Sequence, residues 1–267
     1  MENTEKLLKV AKEAAYEAGE IQLSFLGKKK KIEYKFNEFD LVTEADKQSE
    51  EKILSILNTY FPDHNVLGEE TGSHKEKPSE YLWIIDPLDG TTNFTHNFPH
   101  FAVSIGLVKN DKIILGVVYD ACKNELFWAT EGAGAYLNSD RIEVSKIDTL
   151  NKSLLATGFP PGRSEIIEEN FVYFKEFICK AQALRRPGSA ALDLCYVACG
   201  RFDGFWELNL SPWDVTAGTC IINEAGGKVT NFNSEQFDLY GRNIIASNGI
   251  IHATMQETLY SCKNKAD

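Results

Sequence analysis

Asp86 and Asp89 stand where an apolar run, Tyr81 to Ile85, gives way to Pro87-Leu88 and then to Gly90-Thr91-Thr92-Asn93-Phe94. The run is short, bulky and almost wholly apolar, the pattern of a strand buried on both faces. Asp86 is expected to close it, because Pro87 has no amide hydrogen for a ladder and biases the residue before it away from helical angles. Both acids then lie near the carboxyl end of a strand, where open α/β sheets place ligands. Two carboxylates this close do not both stay ionised unless a cation compensates them, and hard oxygen donors select Mg, Ca or Mn over zinc. The residues that follow read as a helix start, with a glycine that permits close backbone approach and amides suited to an anion. Adjoining cation and anion signals point to metal-assisted phosphate chemistry. The competing reading is an ordinary strand-to-helix turn in which Asp89 caps the helix and Asp86 accepts an incidental hydrogen bond.

Other acids have similar double readings. Gly68-Glu69-Glu70 fits an exposed turn, yet it immediately precedes the Asp86 strand and offers a third carboxylate. Thr43 and Asp46 fit a capping box, which explains Asp46 without chemistry. Asp214 falls in the first turn of a helix that Pro212 opens and Gly226-Gly227 ends, where a negative charge favours the helix dipole. Cys195 and Arg201 satisfy the C-x5-R spacing of a cysteine phosphatase loop, but the residues between them are bulky and apolar, so the match is read as chance. The spacing of Asp86 and Asp89 is also one residue too long for an aspartyl-phosphate phosphatase.

The elements that must carry these groups follow from periodicity. Leu7, Leu8, Ala11, Ala14, Ala15, Ala18, Ile21 and Phe25 mark a packing helix over Thr4 to Phe25. Ile32 to Lys35 reads as a strand, and Leu41 to Asp46 as the opening of a second helix with Ile53, Leu54 and Leu57 inward. Asn65 to Thr71 is a short strand, and Ser73 to Glu80 an exposed, mobile loop. Phe101 to Lys109 and Lys112 to Tyr119 form a hairpin on Asn110-Asp111, continued by Glu125 to Ala129 and Ala135 to Leu137. Polar residues from Asp140 to Leu150 cross to a second half. There Leu154 to Thr157, Ala183 to Arg186 and Gly204 to Glu207 alternate as strands with helices over Glu165 to Lys180 and Ser189 to Cys199. Lys228 to Thr230 and Asn243 to Ser247 complete a sheet, and Ile250 to Tyr260 forms the last helix.

The 267 residues suffice for one large core or two layered units. A formal charge of −11 argues against nonspecific nucleic-acid binding, and it requires cations at any phosphate site. The basic run Lys28 to Lys31 reads as a solvated turn. No run approaches a membrane span, and Met1 to Lys6 lacks the layout of a signal peptide, so a cytoplasmic location is expected. Six scattered cysteines without a CxxC pair read as core residues in a reducing compartment.

Three separated blocks agree. Gly68-Glu69-Glu70, then Asp86-Pro87-Leu88-Asp89-Gly90-Thr91-Thr92-Asn93-Phe94, then Trp213-Asp214-Val215-Thr216-Ala217-Gly218 with Glu224-Ala225-Gly226-Gly227 together resemble the inositol monophosphatase family. The likeness also takes in Asp40 to Asp46 and Gly188-Ser189-Ala190-Ala191, and so spans nearly the whole chain. The resemblance implies a mixed α+β, α/β fold, a layered αβαβα sandwich of the sugar phosphatase type. Its N-terminal half, 1–150, would hold the antiparallel sheet and most metal ligands. Its C-terminal half, 151–267, would supply Asp214 and substrate contacts, the two forming one unit. It implies Mg-dependent hydrolysis of a small phosphate monoester, with two or three Mg2+ per site and Mn2+ as a substitute. Glu69, Asp86, Asp89, Asp214 and the carbonyl of Leu88 match the metal ligands. Glu69 and Thr91 match the groups that activate water, with Asp46 beside Thr91. The amides of Gly90 and Thr91 match the phosphate seat. Gly188, Ser189, Ala190, Glu207 and Asp214 match positions that face the polyol, with Glu69, Leu88 and Asp89 at the phosphate end.

Among substrates, inositol 1-phosphate is favoured by Asp89-Gly90-Thr91-Thr92-Asn93-Phe94, with fructose 1,6-bisphosphate and histidinol phosphate as alternatives. Arg186, or Arg185, is a candidate partner for a second phosphate, the other reading being an exposed strand end. The resemblance further implies lithium sensitivity and a homodimer. Relatives with a segment like Arg185 to Ala191 include some that associate with transcription machinery, which adds a regulatory binding protein as a reading from another class.

Overall fold

Two glycines decide how closely the layers of this molecule approach. A Cβ on Gly116 would lie 2.3 Å from the carbonyl oxygen of Ala217, and one on Gly106 2.3 Å from Cγ2 of Thr216. A helix therefore rests directly on the backbone of a sheet. In the computed structural model, residues 3–28, 32–34, 41–74, 78–160, 164–233 and 237–263 are described.

In chain order the N-terminal elements are α1 (Thr4–Phe25), β1 (Ile32–Tyr34), β2 (Leu41–Thr43), α2 (Glu44–Tyr60), β3 (Asn65–Gly68), β4 (Gly72–His74), β5 (Tyr81–Asp89) and α3 (Thr91–Thr95). The meander follows as β6 (Ala102–Lys109), β7 (Lys112–Asp120), β8 (Glu125–Thr130), β9 (Gly134–Leu137) and β10 (Asp140–Ile142). The second half comprises β11 (Leu154–Thr157), α4 (Ser164–Lys180), β12 (Ala183–Arg185), α5 (Ala190–Ala198), β13 (Gly204–Leu208), α6 (Pro212–Glu224), β14 (Lys228–Thr230), β15 (Asn243–Ser247) and α7 (His252–Lys263). One sheet has the order β10-β9-β8-β7-β6-β5-β3-β4, the other β12-β11-β13-β15-β14, and β1 pairs with β2 in a two-stranded ribbon. In the larger sheet β3 and β5 run parallel while the other neighbours are antiparallel.

The apolar faces explain the stacking. Leu7, Val10, Ala11 and Ala14 of α1 with Ile53 and Leu57 of α2 cover Trp83, Ile85, Val103 and Val117 on one face of the larger sheet. On its other face Val118, Phe127 and Ala129 meet Leu194, Val197, Ala217 and Ile221 of α5 and α6, which in turn cover Ala156, Phe205 and Ala246 of the smaller sheet. Tyr173 and Phe177 of α4 with Met255 and Leu259 of α7 close the far face over Trp206 and Ile245. The result is the αβαβα sandwich. The Asn110-Asp111 turn has positive φ at both residues, 47° and 63°, the backbone that matches strand twist in a two-residue hairpin.

Four expectations are corrected. Leu41–Thr43 is a strand paired with Ile32–Tyr34, and the helix begins only at Glu44 because Thr43 is its N-cap, with Asp46 completing the capping box. Ser73 and His74 belong to β4, while 75–77 lie outside the described residues, as do 29–31 of the lysine run. Asp140–Ile142 adds an edge strand to β9. The run from Tyr81 does not end at Asp86: Asp86 pairs with Ser104, the register shifts, and Asp89 pairs with Ala102. Pro87 and Leu88 form that irregularity, a position where a residue without an amide hydrogen is tolerated inside a sheet.

Gly116→Ala should force the Ala217 backbone off the sheet and cost about 1–3 kcal/mol, the usual range for overpacking. Urea denaturation checks this, and an unchanged midpoint would contradict the packing argument.

Candidate active site

Because β3 and β5 are parallel with Gly68 opposite Ile85, the residue after β3 lies level with Asp86. That residue is Glu69, whose amide donates to the carbonyl of Ile85 at 3.2 Å. The irregularity in β5 then brings Asp89 back to the ladder. Within it the Leu88 amide donates to Oδ1 of Asp86 at 2.9 Å, and buried Gln22 donates to the Pro87 carbonyl at 2.8 Å. Gly90 follows with φ 98°, and a Cβ there would meet the His100 carbonyl oxygen at 3.0 Å. Only glycine turns the chain here, and it caps α3 in place of Asp89.

Asp89 is engaged elsewhere. Its Oδ2 accepts from Oγ of Ser189 at 2.5 Å and from the amide of Ala191 at 2.8 Å, so the acid of one half is held by the start of α5 in the other. Asn93 reinforces the junction, its Nδ2 lying 2.9 Å from the Pro187 carbonyl and 2.8 Å from that of His100. Asp214 is the third residue of α6, behind Pro212, and its Oδ2 accepts from the Ser211 amide at 2.6 Å.

Asp86, Asp89 and Asp214 each present a carboxylate oxygen, and the three lie within 4.8 Å of one another. Among the described residues no ion pair joins any of them to lysine or arginine. Burial first, then the charges of Glu69, Asp89 and Asp214, push Asp86 well above the usual carboxylate range. Burial, then Asp89, does the same for Asp214. Asp89 rises through burial to about 6, held down by its bonds to Ser189 and Ala191. A cluster of hard oxygens whose charges are unfavourable in the protein alone fits a divalent cation.

Asp46 binds Thr43 through Oδ2, from the amide at 2.8 Å and the hydroxyl at 2.6 Å. Its Oδ1 faces the Thr91 hydroxyl at 3.1 Å, and the Leu88 carbonyl lies equally near that hydroxyl. Asp46 is thus both a capping residue and a neighbour of Thr91, so its two readings are compatible. On the opposite wall Glu207 of β13 is buried, packed so that a Cβ on Gly158 would fall 2.1 Å from it. Burial, then Asp89, lifts Glu207 to about 8, against the pull of Arg186. Arg186 itself is exposed and donates to the Phe159 carbonyl at 3.2 Å. Gly188 has φ 91°, and Ser189 and Ala190 are buried at the start of α5.

Two acids escaped the sequence reading. Asp193, buried on α5 with Oδ1 lacking a hydrogen-bond partner among the described residues, is raised by burial and then by Glu207 and Asp89. Glu50, fully buried on α2, accepts the amides of Glu70 and Thr71. Position gives a signal for each: Asp193 is the fourth residue after Ser189, and Glu50 the fourth after Asp46. The C-x5-R match is dismissed by geometry. The Cys195 thiol is fully buried and pushed up by that burial, and Arg201 is paired with Glu125 at 2.6 Å.

The family described as the inositol monophosphatase family matches residues 3–264. A fructose-1,6-bisphosphatase/inositol-1-monophosphatase of Aquifex aeolicus is 45% identical over 254 residues, 94% of this chain and 94% of that protein. A putative Nus factor SuhB of Neisseria meningitidis serogroup A is 41% identical over 249 residues, 93% of this chain and 95% of its own. The structure of inositol monophosphatase from Anabaena (Nostoc) sp. PCC 7120 superposes with a TM-score of 0.89 at 44% identity, covering 97% of both chains.

The titrations have a sign. In metal-free protein, Asp89 near 6 and Glu207 near 8 hold protons in the folded state that the unfolded chain has released, so their contribution is complete below the ordinary carboxylate pKa and is lost as pH rises through those values. The denaturation temperature in chelator should therefore fall between pH 6 and 8, and added Mg2+ should raise it more at pH 8. A flat profile with no such difference would contradict the electrostatic description.

Proposed function

The chain belongs to the inositol monophosphatase family, and from that premise we propose that it hydrolyses a small phosphate monoester with Mg2+, inositol 1-phosphate being the favoured substrate. One observation carries the reading: Asp86, Asp89 and Asp214, from two halves of the chain, converge beside Glu69 with no protein cation among the described residues to offset them. Hard carboxylate oxygens suit Mg2+, with Mn2+ as a substitute. When bound, such a cation supplies Lewis acidity toward the phosphoryl oxygens and favours deprotonation of a nearby water.

The protein's own groups do the rest. Asp86, Asp89, Asp214, Glu69 and the Leu88 carbonyl are the proposed ligands. Thr91 has its one hydroxyl hydrogen directed at Asp46 or at the Leu88 carbonyl, so its lone pairs face outward as acceptors. In that state it accepts a hydrogen bond from the attacking water, with Glu69 as the second acceptor, and Asp46 keeps the threonine so oriented. The amides of Gly90 and Thr91 are assigned to phosphate. Glu207, whose carboxyl is pushed up to about 8 by burial and then by Asp89 in the metal-free protein, is assigned to the polyol hydroxyls. Gly188, Ser189 and Ala190 form the remaining wall. Arg186, exposed at its rim, is the proposed contact for a second phosphate.

The same reading places the working boundary near residue 150, with the site between 1–150 and 151–267, and includes lithium inhibition, a homodimer and a cytoplasmic location. Among the described residues no helix is long and apolar enough to cross a membrane. The name of the Aquifex relative supports fructose 1,6-bisphosphate as an alternative substrate. That of the Neisseria relative supports a second, compatible role in contact with transcription machinery, for which the exposed Arg185-Arg186 pair is available.

With inositol 1-phosphate, fructose 1,6-bisphosphate and histidinol phosphate assayed in Mg2+, the first should show the highest kcat/KM, and lithium or a chelator should suppress turnover. Folded Asp89→Asn or Asp214→Asn should lower kcat by roughly a hundredfold or more, the scale of losing a main electrostatic contributor. Unaltered kcat in either variant would rule out the metal assignment.

A further inference from the structure

Glu50 occupies a position that packing alone would give to an apolar residue. It is 0% exposed, on the inner face of α2 beside Ile53 and Leu57, and a carboxyl group so placed is unfavourable unless donors satisfy it. The donors are two successive backbone amides: that of Glu70 at 2.9 Å from Oε2 and that of Thr71 at 2.7 Å from Oε1. Space for the carboxyl comes from Gly68. A Cβ there would lie 2.7 Å from Oε1, 2.8 Å from Cδ and 2.9 Å from Oε2 of Glu50, although the backbone at Gly68 is not in the left-handed region. The glycine is thus required by Glu50's carboxyl and not by its own dihedral angles.

The turn clamped in this way carries Glu69. Asp46 and Glu50 are four residues apart, hence on one face of α2. Asp46 reaches Thr91 through Oδ1, and Glu50 reaches the backbone just after Glu69. One turn of a single helix therefore fixes both groups that flank the attacking water.

We propose that Glu50 is a positioning residue: its carboxylate, gripping the amides of Glu70 and Thr71, sets where Glu69 stands relative to Thr91 and Asp86. This rests on the role given to Glu69 above. It explains why a carboxyl group is kept on the buried face of α2 and why Gly68 precedes Glu69.

The test uses Glu50→Gln, which keeps the shape but turns one acceptor into a donor facing a donor, and Gly68→Ala, which displaces the same carboxylate from the other side. Mg2+ affinity is read by calorimetry, with kcat and KM measured at saturating Mg2+. Each variant should weaken Mg2+ binding by roughly 10–100-fold, the cost typical of losing a group that orients a ligand. Each should lower kcat while leaving KM within about twofold, and the weaker Mg2+ affinity of the folded protein is the readout that loss of stability alone does not move. If Glu50→Gln fails to fold, Gly68→Ala decides the matter. Wild-type Mg2+ affinity and kcat in a folded variant would overturn the proposal. A wild-type protein that binds Mg2+ but cleaves none of the esters would instead defeat the functional reading, and the affinity comparison would still test Glu50.

Discussion

Mutual repulsion among carboxylates held in a poorly solvated cleft is the constraint around which this molecule is built. Asp86, Asp89 and Asp214 would separate if they were free to, since each is pushed upward in pKa by burial and by its neighbours. What prevents separation is the fold. Asp86 is fixed by the ladder to β6, Asp89 by Ser189 and the Ala191 amide, and Asp214 by its place at the start of α6. The stability of two hydrophobic interfaces thus opposes a local electrostatic cost, and that stored cost is what a bound cation would relieve.

The layers meet so closely because the site needs them to. Asp214 belongs to a helix that rests on glycine backbone at Gly106 and Gly116, where larger residues would hold α6 away from β5. The irregularity at Pro87-Leu88 serves the same end from the sheet side. A regular strand would point Asp86 and Asp89, three residues apart, to opposite faces, whereas one extra residue in β5 restores them to one locality. Asn93 and Ser189 then tie the halves together at the point where they share the acids.

Much of this was readable from residue order. The helix over Thr4 to Phe25, the Asn110-Asp111 hairpin and the strand–helix alternation after Leu154 all follow local periodicity and turn chemistry, and the structure agrees with them. Asp86, Asp89 and Asp214 announced themselves as acids at element ends. The continuation of β5 through Pro87 was not readable, because a proline argues locally for an ending and only the partner strand shows otherwise. Glu50 and Asp193 were missed for a related reason. Each looks like an ordinary polar position on a helix, and its burial depends on what another element places over it. The choice of Gly90 over Asp89 as the cap of α3 likewise depends on α5, which takes up the Asp89 carboxylate.

The central claim, that these acids are assembled to hold a divalent cation, is tested most directly by crystals grown with Mn2+ and measured for anomalous scattering. An anomalous peak bounded by the carboxylates of Asp86, Asp89 and Asp214 is expected. Its absence at full Mn2+ saturation, or a peak confined to some other part of the molecule, would contradict it.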